Sequence, residues 1–214
     1  DAIENIRGLL KGQHLTVTEV TRSERHVPSP GLYDLTELQR DANRRFGFSA
    51  KETLNIMQRL YENHKVLTYP RTDSRYLTTD MADTIKERLK AVSVGPYKQW
   101  TAKLMTKQVK ASASFINDGR VSDHHAIIPT EQPAYLSDMS FEERKIFDLV
   151  VKRFLAVLSP ACEYEQTSVS GKIQGEVFEA KGTVMVKAGW KDIYQEEDGK
   201  NEALPQKILK IFIL

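Results

Sequence analysis

QRLYENHKVLTYPRTDSRYL, residues 58–77, holds the residues that decide how the chain is read. Pro70 fixes its own φ and biases Thr68 and Tyr69 away from helix. In an extended segment residues i and i+2 point to one side, so the spacing predicts that Tyr69 and Arg71 face the same way. A tyrosine hydroxyl has a pKa of about 10, so its attack on a phosphodiester needs the proton removed or a field that favours the phenolate. An arginine two residues on supplies such a field. Its guanidinium also binds the phosphate with paired hydrogen bonds and offsets charge that builds up during displacement. An isolated Tyr-x-Arg equally describes a core tyrosine beside a surface salt bridge, so the surroundings must choose.

On either side of this stretch, from Leu32 to about Leu158, the pattern is mainly helical. Thr36 with Gln39, Ser49 with Glu52 and Ser140 with Glu143 have capping-box spacing, which predicts three helix starts. The first helix ends near Phe46, with Gly47 suited to the left-handed position, and the next begins after Ser49, a tight pair resembling a helix-turn-helix. A further helix is expected from about Thr79 to Val92, with Ala82, Ile85, Leu89 and Val92 on one face. Outside this zone the signals are those of strands. Residues 13–21, QHLTVTEVT, alternate with Leu15 and Val17 on one face, and VPSPG ends them. After Pro160 come EYEQTSVSG, EVFEAKGTVMV and GWKDIY, read as antiparallel strands. The order predicts an α+β fold, with a mainly helical domain of residues 29–160 inserted into a discontinuous antiparallel β domain of residues 1–28 and 161–214.

Composition narrows the class. With 214 residues, 40% hydrophobic and 28% charged, the chain is long enough for one large domain or two modest ones with real cores. The single cysteine, Cys162, excludes an internal disulfide framework or a cysteine zinc site and fits a reducing interior. No apolar run approaches the roughly 20 residues of a membrane span, and DAIENIRGLLKG lacks the order of a signal peptide, so a cytoplasmic protein is expected. The start at Asp1 without methionine, inside what reads as the end of a helix, suggests a piece of a longer protein. The helical zone holds the positive charge, 20 basic against 16 acidic residues. Within it Lys98, Lys103, Lys107 and Lys110 occur with no acid between them, and 103, 107 and 110 share a face if the segment is helical. A solvated face explains them as well as DNA does.

Residues 58–77 resemble the active-site signature of type IA DNA topoisomerases, of the topoisomerase III kind. Gln58, Leu60 and Tyr61, then Leu67, Thr68, Tyr69, Arg71, Thr72 and Asp73, occupy every position of it, and Pro70 is the variant typical of that branch. SDHHAIIPT, residues 122–130, looks like the motif that brings a histidine to the cleavage site in this family. Many bacterial topoisomerase I sequences have arginine where Ile128 stands, so that arginine's work is not done here by the same residue. The likeness covers most of the chain but not the tail KILKIFIL after Leu204-Pro205.

The resemblance implies that Tyr69 is the nucleophile, Arg71 its phosphate-binding neighbour and His124 a proton relay or phosphate donor oriented by Asp123. Metal-binding or packing histidines are the other readings of 122–130. Adjacent residues in extended chain point apart, so His124 and His125 make a poor metal pair. DNA contacts are expected at Arg71, Thr72, Asp73, Ser74 and Arg75, whose polar run suits a surface that opens and closes, and at Lys103, Lys107 and Lys110. It further implies a transient 5′-phosphotyrosyl link, single-stranded DNA as partner, bacterial nucleoid association, and a helical gate carried on a β arch. The family's N-terminal metal-binding domain is not reproduced here, so Mg2+ is expected in the full enzyme and no metal or other cofactor in this piece. A non-enzymatic helix-turn-helix-like DNA-binding module and an interaction scaffold are the alternatives. A tyrosine recombinase is disfavoured, because Tyr69 precedes the His124 motif instead of following a spaced Arg, His and Arg set.

Overall fold

The structure, a computed structural model, describes residues 15–106, 112–173 and 175–195. It is α+β: helices and a three-stranded antiparallel sheet of order β1-β2-β3. The chain divides into two compact units, one taking in residues 15–27 and Ala161–Gly189 among those described, the other Pro28–Pro160 with Trp190–Gln195.

In the first unit β1 (Thr16–Val27) pairs with β2 (Cys162–Ile173), which pairs with β3 (Glu176–Lys187). β1 runs six residues beyond the expected end at Thr21, because the pairing continues from Arg22 opposite Thr167 to Val27 opposite Cys162. Gly175, at φ +92°, lies in the β2–β3 turn, where the left-handed region favours glycine. β2 buries Cys162 and Tyr164 and, after a slip of phase, Thr167, Val169 and Gly171.

The second unit is built on α1 (Leu35–Phe46), α2 (Ala50–Glu62), α3 (Ile85–Ala91), α4 (Lys98–Met105) and α5 (Phe141–Val157). Ser49 and Ser140 cap α2 and α5 in the reciprocal boxes expected of them, with Glu52 and Glu143 closing each. α1 differs: its cap is Asp34, which accepts from the Glu37 N–H at 2.7 Å, so Thr36 lies inside the helix. Aspartate satisfies an exposed donor at least as well as threonine, and it comes first. Gly47 ends α1 at φ +74° and donates to the Asn43 carbonyl. The expected helix 79–92 splits into a 3-10 turn, Thr79–Thr84, and the α-helix Ile85–Ala91. Thr78 gives no side-chain cap, and Asp118 takes both the N–H and the hydroxyl of Thr79.

GWKDIY is not a strand. Gly189–Ile193 form a 3-10 turn, of which Trp190–Ile193 belong to the helical unit. The Trp190 N–H reaches the Pro160 carbonyl at 3.0 Å, Ile193 is buried, and Trp190 meets Tyr194 edge to face. The apolar spacing 190, 193, 194 suits a helical turn on a core, which outweighs the alternation.

That core joins Leu38 and Ala42 of α1, Ile56, Met57 and Leu60 of α2, and Ile146, Phe147, Val150, Phe154 and Leu155 of α5. Burying each large side chain contributes about 1.5–3 kcal/mol. Through it runs one ionic cluster: Arg153 donates to Asp41 at 2.8 Å, to the Tyr33 hydroxyl and the Gly31 carbonyl at 3.0 Å, and to the Tyr194 hydroxyl at 3.2 Å. Burial drives the Tyr33 hydroxyl well above the ordinary tyrosine range.

Glu143 ties the start of α5 to the end of α2. Its carboxylate takes Arg59 Nε at 2.7 Å and lies 3.3 Å from His64 Nε2. Burial alone raises its pKa, but Arg59, the Ser140 N–H and His64 together outweigh that and hold it below the ordinary 4.5. A depressed folded value means that the contribution of Glu143 is complete above about pH 4.5 and is lost as pH falls through the folded value. Glu143→Gln is therefore expected to flatten the acid limb of a stability–pH curve measured by urea unfolding. Parallel curves for wild type and variant would remove Glu143 from the account.

Candidate active site

Tyr69 lies in the connection leaving α2. That helix closes with the Val66 N–H bonded to the Leu60 carbonyl at 3.0 Å and Lys65 at φ +56°, a left-handed turn made without glycine. From there the chain runs beside residues 126–130. Thr130 N–H bonds to Val66 O, Thr68 N–H to Ile128 O, and Ile128 N–H to Thr68 Oγ1, each at 3.0 Å. Leu67 and Pro129 form an antiparallel bridge, and Leu67, Ile127 and Ile128 are buried. Farther on, Thr72 Oγ1 donates to the His124 carbonyl at 2.9 Å and the Ala126 N–H to the Tyr76 carbonyl at 2.9 Å. The two motifs, 58–77 and 122–130, are thus laced into one piece of backbone.

The lacing brings Tyr69 and His124 together. Their ring centres are 4.2 Å apart with planes 37° apart, and Tyr61 meets Tyr69 edge to face at 5.5 Å. Tyr69 is partly exposed and His124 is exposed. The two rings are tilted against each other in contact, and the Tyr69 hydroxyl makes no hydrogen bond to a described residue. His125 turns inward. Its Nδ1 lies 2.8 Å from the Ala126 carbonyl, which can only accept, so Nδ1 carries the proton, and burial lowers its pKa.

The surrounding residues divide. Arg71 and Asp73 are exposed and Arg75 is partly so. Burial alternates through this stretch, with Pro70, Thr72 and Ser74 buried, Arg71 and Asp73 exposed and Tyr69 partly so, and the Thr72 N–H bonds to the Pro70 carbonyl at 3.2 Å in a three-residue turn centred on Arg71. Thr72 and Ser74 are buried, their hydroxyls held by the His124 and Arg120 carbonyls, so they position the segment and are not presented to a ligand. Asp123 is exposed and has no hydrogen bond or ion pair to a described residue, so nothing here shows it orienting His124. Lys103 is exposed on α4 and pairs with Asp192 at 3.2 Å. Lys107 and Lys110 lie outside the described residues, as do the start at Asp1 and the tail 206–214.

A cavity of about 580 Å³ opens beside the tyrosine, walled by Tyr61, Leu67, Thr68, Tyr69, His125 and Thr130. The role of Tyr61 as a wall for Tyr69 was not legible, since a helix-terminal residue gives no sign of where its ring will point. Among the described residues no group of three or more His, Cys, Asp or Glu stands together as a metal ion needs. No helix among them is long and apolar enough to cross a membrane.

The profile of the DNA topoisomerase family matches residues 1–210. That match runs to residue 210, four residues into the tail KILKIFIL expected to fall outside the family's pattern. Curated relatives include DNA topoisomerase 3 of Bacillus cereus and of Bacillus anthracis, each 54% identical over 212 residues, and that of Bacillus subtilis, 50% identical over 203 residues. These alignments cover 96%, 96% and 92% of this chain, but it spans only 29%, 29% and 28% of those proteins. Full-length topoisomerase I from Thermotoga maritima shares the fold, with a TM-score of 0.68 at 24% identity over 96% of this chain and 33% of that one.

Proposed function

Because the chain belongs to the type IA DNA topoisomerase family, we propose that it carries the strand-breaking chemistry of such an enzyme, with Tyr69 as the nucleophile. The observation that supports this best is the arrangement around Tyr69: a partly exposed phenol, walled by Tyr61 and His124, on a segment pinned from both sides. The phenol oxygen attacks a backbone phosphorus of single-stranded DNA. A bond forms from Tyr69 to phosphorus, the bond from phosphorus to the 3′ oxygen breaks, and a 5′-phosphotyrosyl ester results. The phenol gives up one proton and the departing 3′ oxygen takes one up. Resealing is the reverse, and because one phosphodiester replaces another it needs no ATP.

Arg71, exposed at its turn, binds the non-bridging oxygens. His124 donates to the same phosphate, Asp73 and Arg75 extend the contact, and Thr72 and Ser74 hold the segment. The described residues supply no donor set for the magnesium implied by the family, so no step here passes through a metal. We place magnesium in a separate N-terminal domain and the whole protein on bacterial DNA in the cytoplasm. Residues 29–160 act as a gate inserted into an arch of 1–28 and 161–214. The division into two units supports that reading, with the amendment that residues 190–195 go with the gate. The non-enzymatic helix-turn-helix alternative is not favoured by the family match.

Trapping the covalent complex of the full-length protein, digesting the DNA and mapping the adduct by mass spectrometry tests the assignment. The nucleotide mass is expected on the peptide containing Tyr69, and its appearance on any other residue would overturn the proposal.

A further inference from the structure

A second cavity, of about 440 Å³, lies farther along the segment that follows Tyr69, lined by Asp73, Ser74, Arg75, Tyr76, Ser114 and Arg120. Nothing in the chemistry above uses Tyr76, Ser114 or Arg120. The walls are fixed: Ser74 Oγ donates to the Arg120 carbonyl at 2.8 Å, and Leu77 bridges Ile116 in parallel.

Two arginines in this groove are held yet uncompensated. Arg120 Nη1 donates to the Tyr76 hydroxyl at 3.0 Å, and its guanidinium lies 5.2 Å from the centre of that ring. Arg75 donates through Nε to the Leu32 carbonyl at 3.0 Å and through Nη2 to the Gly31 carbonyl at 3.4 Å. Neither has a carboxylate partner among the described residues, whereas Arg40, Arg44, Arg59, Arg88 and Arg153 each do. Tyrosine and carbonyls orient a guanidinium without neutralising it, which leaves donors and charge for an anion. Against the two arginines stands one acid, Asp73, whose oxygens can accept from the amino group of a base.

We infer that this groove is a nucleotide subsite for single-stranded DNA, with Arg120, seated on Tyr76, as its phosphate-binding residue. The inference rests on DNA being the substrate of the Tyr69 site and extends it along the strand. A cavity of this volume is the size of a small-ligand pocket and suits one nucleotide unit, not a duplex. Seven residues of chain span at most about 25 Å, so Tyr69 and Tyr76 are within reach of one short strand.

The test is fluorescence anisotropy of a labelled oligothymidylate with the full-length protein at several salt concentrations. Arg120→Ala is expected to weaken binding about tenfold at low salt and to reduce the slope of log K against log salt by about 0.7, the value for one phosphate on a single strand. Arg120→Lys keeps the charge but not the fork and should restore the slope with intermediate affinity. Arg40→Ala, removing an exposed arginine paired with Glu37 on α1, should change affinity by less than about twofold. An unchanged slope in Arg120→Ala overturns the subsite. Displacement of the oligonucleotide by inorganic phosphate at matched ionic strength would make the groove a free-phosphate site and overturn the strand assignment. The two proposals fail separately: an adduct on Tyr69 with normal binding by Arg120→Ala removes only the groove, while an adduct elsewhere with a reduced slope removes only the nucleophile.

Discussion

Tyr69→Phe in the full-length protein is expected to abolish the covalent DNA adduct while leaving oligonucleotide affinity within about twofold of wild type. The variant keeps the ring that packs between Tyr61 and His124. It removes a hydroxyl that has no hydrogen-bond partner among the described residues, so no buried group is orphaned and the fold loses little. What disappears is the attacking oxygen, for which phenylalanine has no substitute. Denaturing gels of cleavage reactions run beside an anisotropy titration separate the two effects. An adduct recovered from the phenylalanine protein would sink the nucleophile assignment, and a large loss of binding would mean that the hydroxyl holds DNA instead of cutting it.

The largest effect on stability is expected at Asp41. Its carboxylate is buried against Arg153, which also holds the Tyr33 hydroxyl and the Gly31 carbonyl. Removing one partner of a buried pair leaves the other charge uncompensated, which costs about 3–5 kcal/mol. For a chain of this size Asp41→Ala should therefore lower Tm by on the order of 10 °C. Adding Arg153→Met replaces both charges and should recover most of the loss, because well-packed apolar groups often match a buried ion pair. A single-variant loss under about 1 kcal/mol in urea unfolding of the 214-residue chain would show that the cluster is hydrated and not structural.

Legibility followed the range of the interaction. Ser49 with Glu52 and Ser140 with Glu143 could be read because a capping box closes within one helical turn. Thr36 with Gln39 has the same spacing and misled, since Asp34 satisfies the donors of that turn first. GWKDIY misled in another way: Trp190, Ile193 and Tyr194 fit a helical turn as well as a strand, and only the core they enter decides. The signature made Tyr69 and His124 candidates, but the sequence offered no sign of their stacking geometry. Contacts such as Arg120 on Tyr76, 44 residues away, or Arg153 on Asp41, 112 residues away, leave no periodic trace. They depend on how two loops or two helices come to face each other.

The hydrogen bonds that lace 66–76 to 124–130 have a further consequence for how an enzyme built on them could be controlled. Phenol and imidazole are yoked: they sit in one unit, on segments that share several backbone bonds, so any rigid-body swing of that unit carries both together. If the proposed strand-breaking cycle runs on this pair, their separation is expected to be the same with the break open as with it closed. Timing must come from what is brought up to the pair, a strand or another part of the protein, and not from assembling or dismantling the pair itself.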